Sequence, residues 1–210
     1  MRIRWIVFLG ALSCFAVGCS PRDFLTRRLT RDLIAGSDTF KSPQLFWLRT
    51  GVVSNKDYTS PEYLVLQHKG WITGANVACA EEGRANGTRP ARNAPLDCWE
   101  VALTPIGVET FHDLIPKDAA SSQRFSVPVA RRDLVAITGI SSDGTRADVD
   151  FTWKWIPLNE VGAALFTSGV QYNSTVTFRR YDDGWRIIDG AAPRNDQGLD
   201  DALKNSVPIS

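Results

Sequence analysis

Histidine is scarce in this chain, with only His68 and His112 among 210 residues. Neither stands in a metal-binding spacing such as H-E-x-x-H, and no G-x-S-x-G turn or phosphate loop accompanies them. Net charge is scarce too, at +1 overall, which leaves no electrostatic case for nucleic acid. No apolar run reaches the roughly 20 residues that a membrane-spanning helix needs. Cysteine is limited to Cys14, Cys19, Cys79 and Cys98. What is present in quantity is apolar residue, 43% of the chain, enough for one substantial core or two small ones.

The first residues carry Arg2 and Arg4, followed by WIVFLGALSCFAV, residues 5–17, without a charge. Thirteen helical residues rise only about 20 Å, against a bilayer core of about 30 Å. A positive start, a short apolar core and a small-residue finish describe a secretory signal peptide over residues 1–18. The finish, Ala16-Val17-Gly18-Cys19, resembles the lipobox of bacterial lipoproteins, departing from it in having alanine three residues before the cysteine. That resemblance implies cleavage before Cys19 and lipidation of its thiol by diacylglycerol and fatty acid such as palmitate. It also implies a chain held at a membrane of the cell envelope, facing the periplasm or the exterior. Ser20 after the cysteine points, by the same resemblance, to the outer membrane. Cys14 interrupts the apolar core and is rejected as the anchor. Losing Arg2 and Arg4 leaves twenty-two basic against twenty-three acidic residues. Arg22, Arg27, Arg28 and Arg31 crowd next to the anchor, where contact with headgroups is weighed against an amphipathic helix. Phe24, Leu25, Leu29, Leu33 and Ile34 recur at helical spacing, so a helix packed inward and ended by Gly36 is expected.

With Cys14 and Cys19 assigned, Cys79 and Cys98 remain, in a compartment that permits disulfides. A bridge between them is expected, closing a loop of about twenty residues and contributing roughly 3 kcal/mol by chain entropy. A metal pair lacks the close spacing and histidines of zinc sites, and a catalytic thiol lacks a nearby histidine. The intervening AEEGRANGTRPARNAPLD, residues 80–97, has no apolar periodicity and reads as an exposed excursion.

Between anchor and loop, QLFWLRTGVV, residues 44–53, reads as extended. A helix follows, with Ser60 as N-cap, Pro61 at its first position and Gly70 as terminator. A short strand at Trp71-Ile72-Thr73 precedes the loop, and CWEVALT, residues 98–104, alternates as a half-buried strand. Thr104-Pro105 then starts another helix. The pieces LQHKGWIT and VALTPIG resemble the hairpin of winged-helix proteins. That likeness implies a shape only, since a DNA-binding role conflicts with the expected location and charge.

In the second half, Val149, Phe151, Trp153 and Trp155 alternate with Asp148, Asp150, Thr152 and Lys154, predicting a half-buried strand ended by Pro157. STVTFRRY and GWRIID flank Asp182-Asp183 as a hairpin. Arg179 and Arg180 near it could hold an acidic partner, though a solvated hairpin end is favoured. The closing strands resemble the end of NTF2-like domains, which fold a curved sheet over helices and often enclose a pocket.

The expected organisation is α+β, with N-terminal helices and a winged-helix-like hairpin followed by a C-terminal antiparallel sheet. Residues 19–120 form the helical region with the disulfide-closed loop, residues 121–190 the antiparallel region, and residues 191–210 a loose tail apart from a turn of helix near Leu199 to Leu203; one continuous domain over the first two is the alternative. The leading functional reading is a non-catalytic envelope lipoprotein that binds or scaffolds a protein partner, without cofactor or metal. The alternative is a small-molecule binder or enzyme with Trp153 and Trp155 as candidate ligand-binding residues. For both tryptophans a purely core role competes.

Overall fold

The computed structural model describes residues 24–79, 97–115, 124–189, 192 and 195–209. The expected signal peptide, Cys19 and nearly all of the disulfide-closed loop lie outside these residues. The fold is α+β, built on mostly antiparallel strands.

Helix α1 spans Arg27–Gly36 and α2 spans Asp38–Lys41. Thr26 caps α1 by accepting from Leu29 N, and Ser37 joins the helices by donating to Ile34 O while accepting from Phe40 N. Ile34 and Phe40 are buried, with Leu25, Leu29 and Leu33 packed beside them, so the apolar stripe faces inward from Leu25 on, while Phe24, counted in it, precedes the helix and is exposed. The segment read as one extended run divides into β1 (Gln44–Arg49) and β2 (Gly51–Ser54). Gly51 at φ 75° makes the corner between them, a conformation glycine adopts without steric cost. The two halves enter different sheets.

The smaller sheet runs β2-β4-β3, with β3 at Ile72–Val77 and β4 at Cys98–Leu103. Helices α3 (Asn55–Tyr58) and α4 (Pro61–His68) connect β2 to β3, and α5 (Pro105–Phe111) follows β4. The predicted caps are in place: Ser60 accepts from Tyr63 N and Thr104 from Gly107 N, each followed by proline. Thr104 Oγ1 also donates to Gly70 O at 2.6 Å, tying the start of α5 to the end of α4.

The larger sheet runs β1-β5-β6-β7-β8, with β9 also on β7. Its long members are β5 (Arg124–Ser142), β6 (Arg146–Pro157) and β7 (Gln171–Tyr181). Helix α6 (Glu160–Leu165) links β6 to β7, and β8 (Gly184–Ile187) closes the predicted hairpin. The turn of helix expected near Leu199 to Leu203 is present, and a short strand follows it in the tail. Helix α7 (Leu199–Lys204) buries Leu199, Ala202 and Leu203, and β9 (Val207–Ile209) pairs with Gln171, Tyr172 and Asn173. Three apolar side chains at helical spacing suffice to hold this polar segment against the sheet.

Two apolar clusters result, and β5 contributes to both. Phe125, Val127 and Val129 pack with Leu48, Leu66, Trp71, Val101 and Phe111 around the smaller sheet. Leu134 and Ile137 pack with Val149, Phe151, Trp153 and Phe178 under the larger one. Across residue 120, where sequence reading sets either a change of region or one continuous domain, β1 pairs with residues 124–130 of β5, and α1 packs on the cluster of the later strands. Neighbouring strands need not be neighbours in sequence, and local pattern does not report such pairing.

Candidate functional site

Beyond Ala130, β5 has β6 on one side but no longer has β1 on the other. Its pairing with β6 also skips Val135 and Thr138, two irregularities that turn backbone carbonyls away from the ladder. Helix α1 covers this edge. Arg31 donates from Nη1 to Leu134 O at 3.2 Å and from Nη2 to Val135 O at 2.9 Å. One helical turn earlier, Arg27 donates to Ile137 O at 3.0 Å and Thr138 O at 3.4 Å. The i, i+4 spacing puts both guanidinium forks on one face, so each meets one skipped residue. An edge that could pair with another strand is thereby blocked. These arginines are turned onto the protein rather than outward.

Next to this contact lies a recess of about 390 Å³ between α1, α2 and β5, with Arg31, Phe40, Lys41, Arg131, Arg132 and Asp133 among its walls. Arg132 donates from Nη1 to Thr39 O at 3.0 Å and Ser42 O at 3.2 Å. Its Nε is buried without a hydrogen-bond partner. Burial pulls the Arg132 pKa below its ordinary value, opposed by the Asp200 carboxylate, and an arginine so shifted still carries its charge at neutral pH. Arg31 and Arg132 are thus held by neutral carbonyls, which position a guanidinium without cancelling its charge. Lys41 and Arg131 are exposed and make no ion pair among the described residues, while Asp133 faces Lys154 at 3.7 Å.

The tryptophan strand lies behind Arg132, whose guanidinium carbon sits 4.8 Å from the Trp155 ring and 5.8 Å from that of Trp153. Trp153 is 2% exposed, stacked on Tyr172 at 4.8 Å and edge-on to Trp155 at 5.1 Å. Its Nε1 donates to Ser174 Oγ at 3.0 Å, which satisfies the one polar group of a buried indole. Trp155 is half-buried and meets Phe166. The structure therefore brings Trp153 and Trp155 together, with Trp153 packed as core. Sequence reading did not single out Arg132. Its only local signal is an Arg-Arg-Asp triplet, and the cation–π contact depends on strand pairing.

A larger cleft of about 610 Å³ lies elsewhere, lined by Gly51, Thr73, Ala75, Glu100, Ala102 and Phe125 among others. Among the described residues, Glu100 is the one ionisable group on its walls. Cys79 and Cys98 form a disulfide with Cα atoms 5.0 Å apart, at the open end of the β3–β4 ladder. His68 ends α4, and His112 follows α5 exposed, with Nδ1 2.9 Å from Asp113 Oδ1. Among the described residues, no group of three His, Cys, Asp or Glu side chains gathers to hold a metal ion. No described helix is long and apolar enough to cross a membrane. No protein-family profile, curated protein or solved structure matches the chain.

Proposed function

We propose that this chain is a cell-envelope lipoprotein, anchored through lipid on Cys19 and acting as a non-catalytic binding or scaffolding module. The observation that carries the reading is the Ala16-Val17-Gly18-Cys19 sequence at the end of a short apolar segment. It is supported by spacing: only residues 20–26 separate Cys19 from α1, a reach of at most about 25 Å. The folded body is then carried close to its membrane. A mature charge near neutrality supports a partner other than nucleic acid.

Two finer likenesses of shape belong to the same proposal. The order β2-α3-α4-β3-β4, with β4 between β2 and β3, supports a winged-helix-like unit closed by the disulfide. The long antiparallel strands folded against α1 and α7 support an NTF2-like one. The reading of Trp153 and Trp155 as pocket walls is the weaker alternative, because Trp153 is 2% exposed and its indole N–H is satisfied internally.

The test is membrane fractionation of cells expressing the wild type and Cys19→Ala, followed by crosslinking and mass spectrometry of the tagged chain. The reading expects wild type in membranes, the variant released, and a reproducible envelope protein in the crosslinks. Wild type found in the soluble fraction contradicts the anchor, and recovery of the chain alone contradicts the scaffold.

A further inference from the structure

We propose that the recess between α1, α2 and β5 binds the phosphate of anionic phospholipid headgroups on the membrane that carries the chain. This rests on the anchored reading above, and it assigns a ligand to a face that anchoring alone leaves unexplained.

Charge is the first ground. Four cations, Arg31, Lys41, Arg131 and Arg132, surround the recess against Asp32 and Asp133. Asp133 is shared with Lys154, and Asp200, whose carboxylate acts on Arg132, is paired with Lys204, so the local balance is positive in a chain whose total is near zero. Another arginine-rich cleft among the described residues differs in kind. Around Arg146 and Arg179 the charges are answered by Asp148 and by Asp196.

Preorganisation is the second ground. Arg31 is fixed by two carbonyls and Arg132 by two more, with the Arg132 Nε unpaired. Guanidiniums held in place by carbonyls supply fixed positive charge to the walls of the recess, and little entropy is lost when an anion arrives beside them. Lys41 and Arg131 at the rim supply mobile charge that closes on the same anion. A volume of about 390 Å³ is within the range of small-molecule sites and admits a glycerophosphate headgroup.

Position is the third ground. The recess is walled by the first helix after the anchor, and Phe24, 61% exposed, lies between Cys19 and that helix. An exposed apolar ring next to the anchor suits insertion at the headgroup–acyl boundary of a bilayer. Surface charge acts only within a Debye length of about 8–10 Å, so nearness to the membrane is required, and a linker of seven residues permits it.

The experiment uses the full chain with Cys19→Ala, sedimented with vesicles of phosphatidylcholine alone or with 30% phosphatidylglycerol. Apolar binding by the leader is common to both, whereas Arg2 and Arg4 add an anionic preference that rim substitutions leave intact, so the change of the ratio in the rim variant reads the recess. At about 0.1 M salt the ratio should stand well above one. It should fall about 25-fold in Lys41→Gln/Arg131→Gln, or about fivefold per residue. Lys69→Gln, at the far end of α4, should leave it within twofold. Both rim residues are exposed, and an unchanged melting temperature confirms that the double variant is folded.

A ratio near one, or a ratio untouched by the double variant, overturns the proposal. Calorimetry with glycerol 3-phosphate separates the sources: saturable binding lost in the double variant, with a vesicle ratio near one, assigns a soluble phosphate ester and overturns the lipid. Palmitate labelling of wild type is read independently. An unlabelled chain that keeps its vesicle preference overturns the anchor and leaves the recess standing.

Discussion

Replacing Gly107 by alanine should destabilise the protein, although alanine is the better helix former. An added Cβ would stand 1.9 Å from Trp71 O and 2.8 Å from Trp71 C, both backbone atoms of the chain leading into β3. A carbon and a carbonyl oxygen settle at about 3.3 Å, so α5 must retreat by roughly 1.4 Å. That retreat strains a junction with several bonds. Trp71 O accepts from Thr104 N at 3.0 Å, and Thr104 Oγ1 both caps α5 and donates to Gly70 O. It also loosens the edge-on contact of Trp71 with Phe111, which is fully buried. Overpacking costs about 1–3 kcal/mol, and each weakened hydrogen bond about 1 kcal/mol. Helix propensity returns about 1 kcal/mol. The expected loss is about 2–4 kcal/mol, read as a lower urea midpoint at unchanged m-value. Gly36→Ala is the matched control, because nothing lies within 4 Å of its added Cβ at the end of α1. It should be neutral or stabilising. A Gly107→Ala protein as stable as wild type, or a Gly36→Ala loss of equal size, would refute the close approach.

Three further perturbations test other joints. Arg27→Met with Arg31→Met removes both arginine forks from β5 and should cost about 2 kcal/mol, since each exposed arginine contributes about 1. The freed edge should also raise concentration-dependent association in light scattering; a monomer of unchanged stability would sink the edge-capping account. Asp196→Ala should cost about 2 kcal/mol in urea denaturation. Its carboxylate is 1% exposed, bonded to Arg179 and 3.1 Å from Arg146 Nε, which is close enough to pair but not aligned for a hydrogen bond. The arginines stay partly in water, which limits the loss below that of a fully buried pair; no change would mean the contact is only geometric. Reducing the Cys79–Cys98 bridge should lower stability by roughly 3 kcal/mol, judged by urea unfolding with and without reductant, and equal curves would contradict it.

Local chemistry was readable from the residues alone where it is strictly local. Ser60-Pro61 and Thr104-Pro105 start α4 and α5 because a hydroxyl cap and a fixed φ act within one turn. Val149, Phe151 and Trp153 mark β6 because they alternate as its buried apolar side chains, although Thr152, expected on the other face, is buried with them. The Cys79–Cys98 disulfide followed from counting. What was not readable is non-local. β5 reads from sequence as a strand-like stretch ending at Val129 and a buried-looking run at Leu134 to Ile140, with Arg131, Arg132 and Asp133 between them, and only pairing with β6 makes it one strand. The corner at Gly51 sends adjacent segments to different sheets, a choice made by their partners. Helix α6 escaped notice because Asn159 caps only six residues, and Gly162 within them lets the helix meet Val129 O. The recess was invisible for the same reason. Arg31, Lys41 and Arg132 are distant in sequence, and only the return of β5 beneath α1 gathers them.

The central claim is the lipid on Cys19. Growing cells that express the tagged wild type or Cys19→Ala with labelled palmitate, then purifying the chain, tests it most directly. Label in wild type and none in Cys19→Ala is the expected result. An unlabelled wild type, or equal label in both, would contradict the claim.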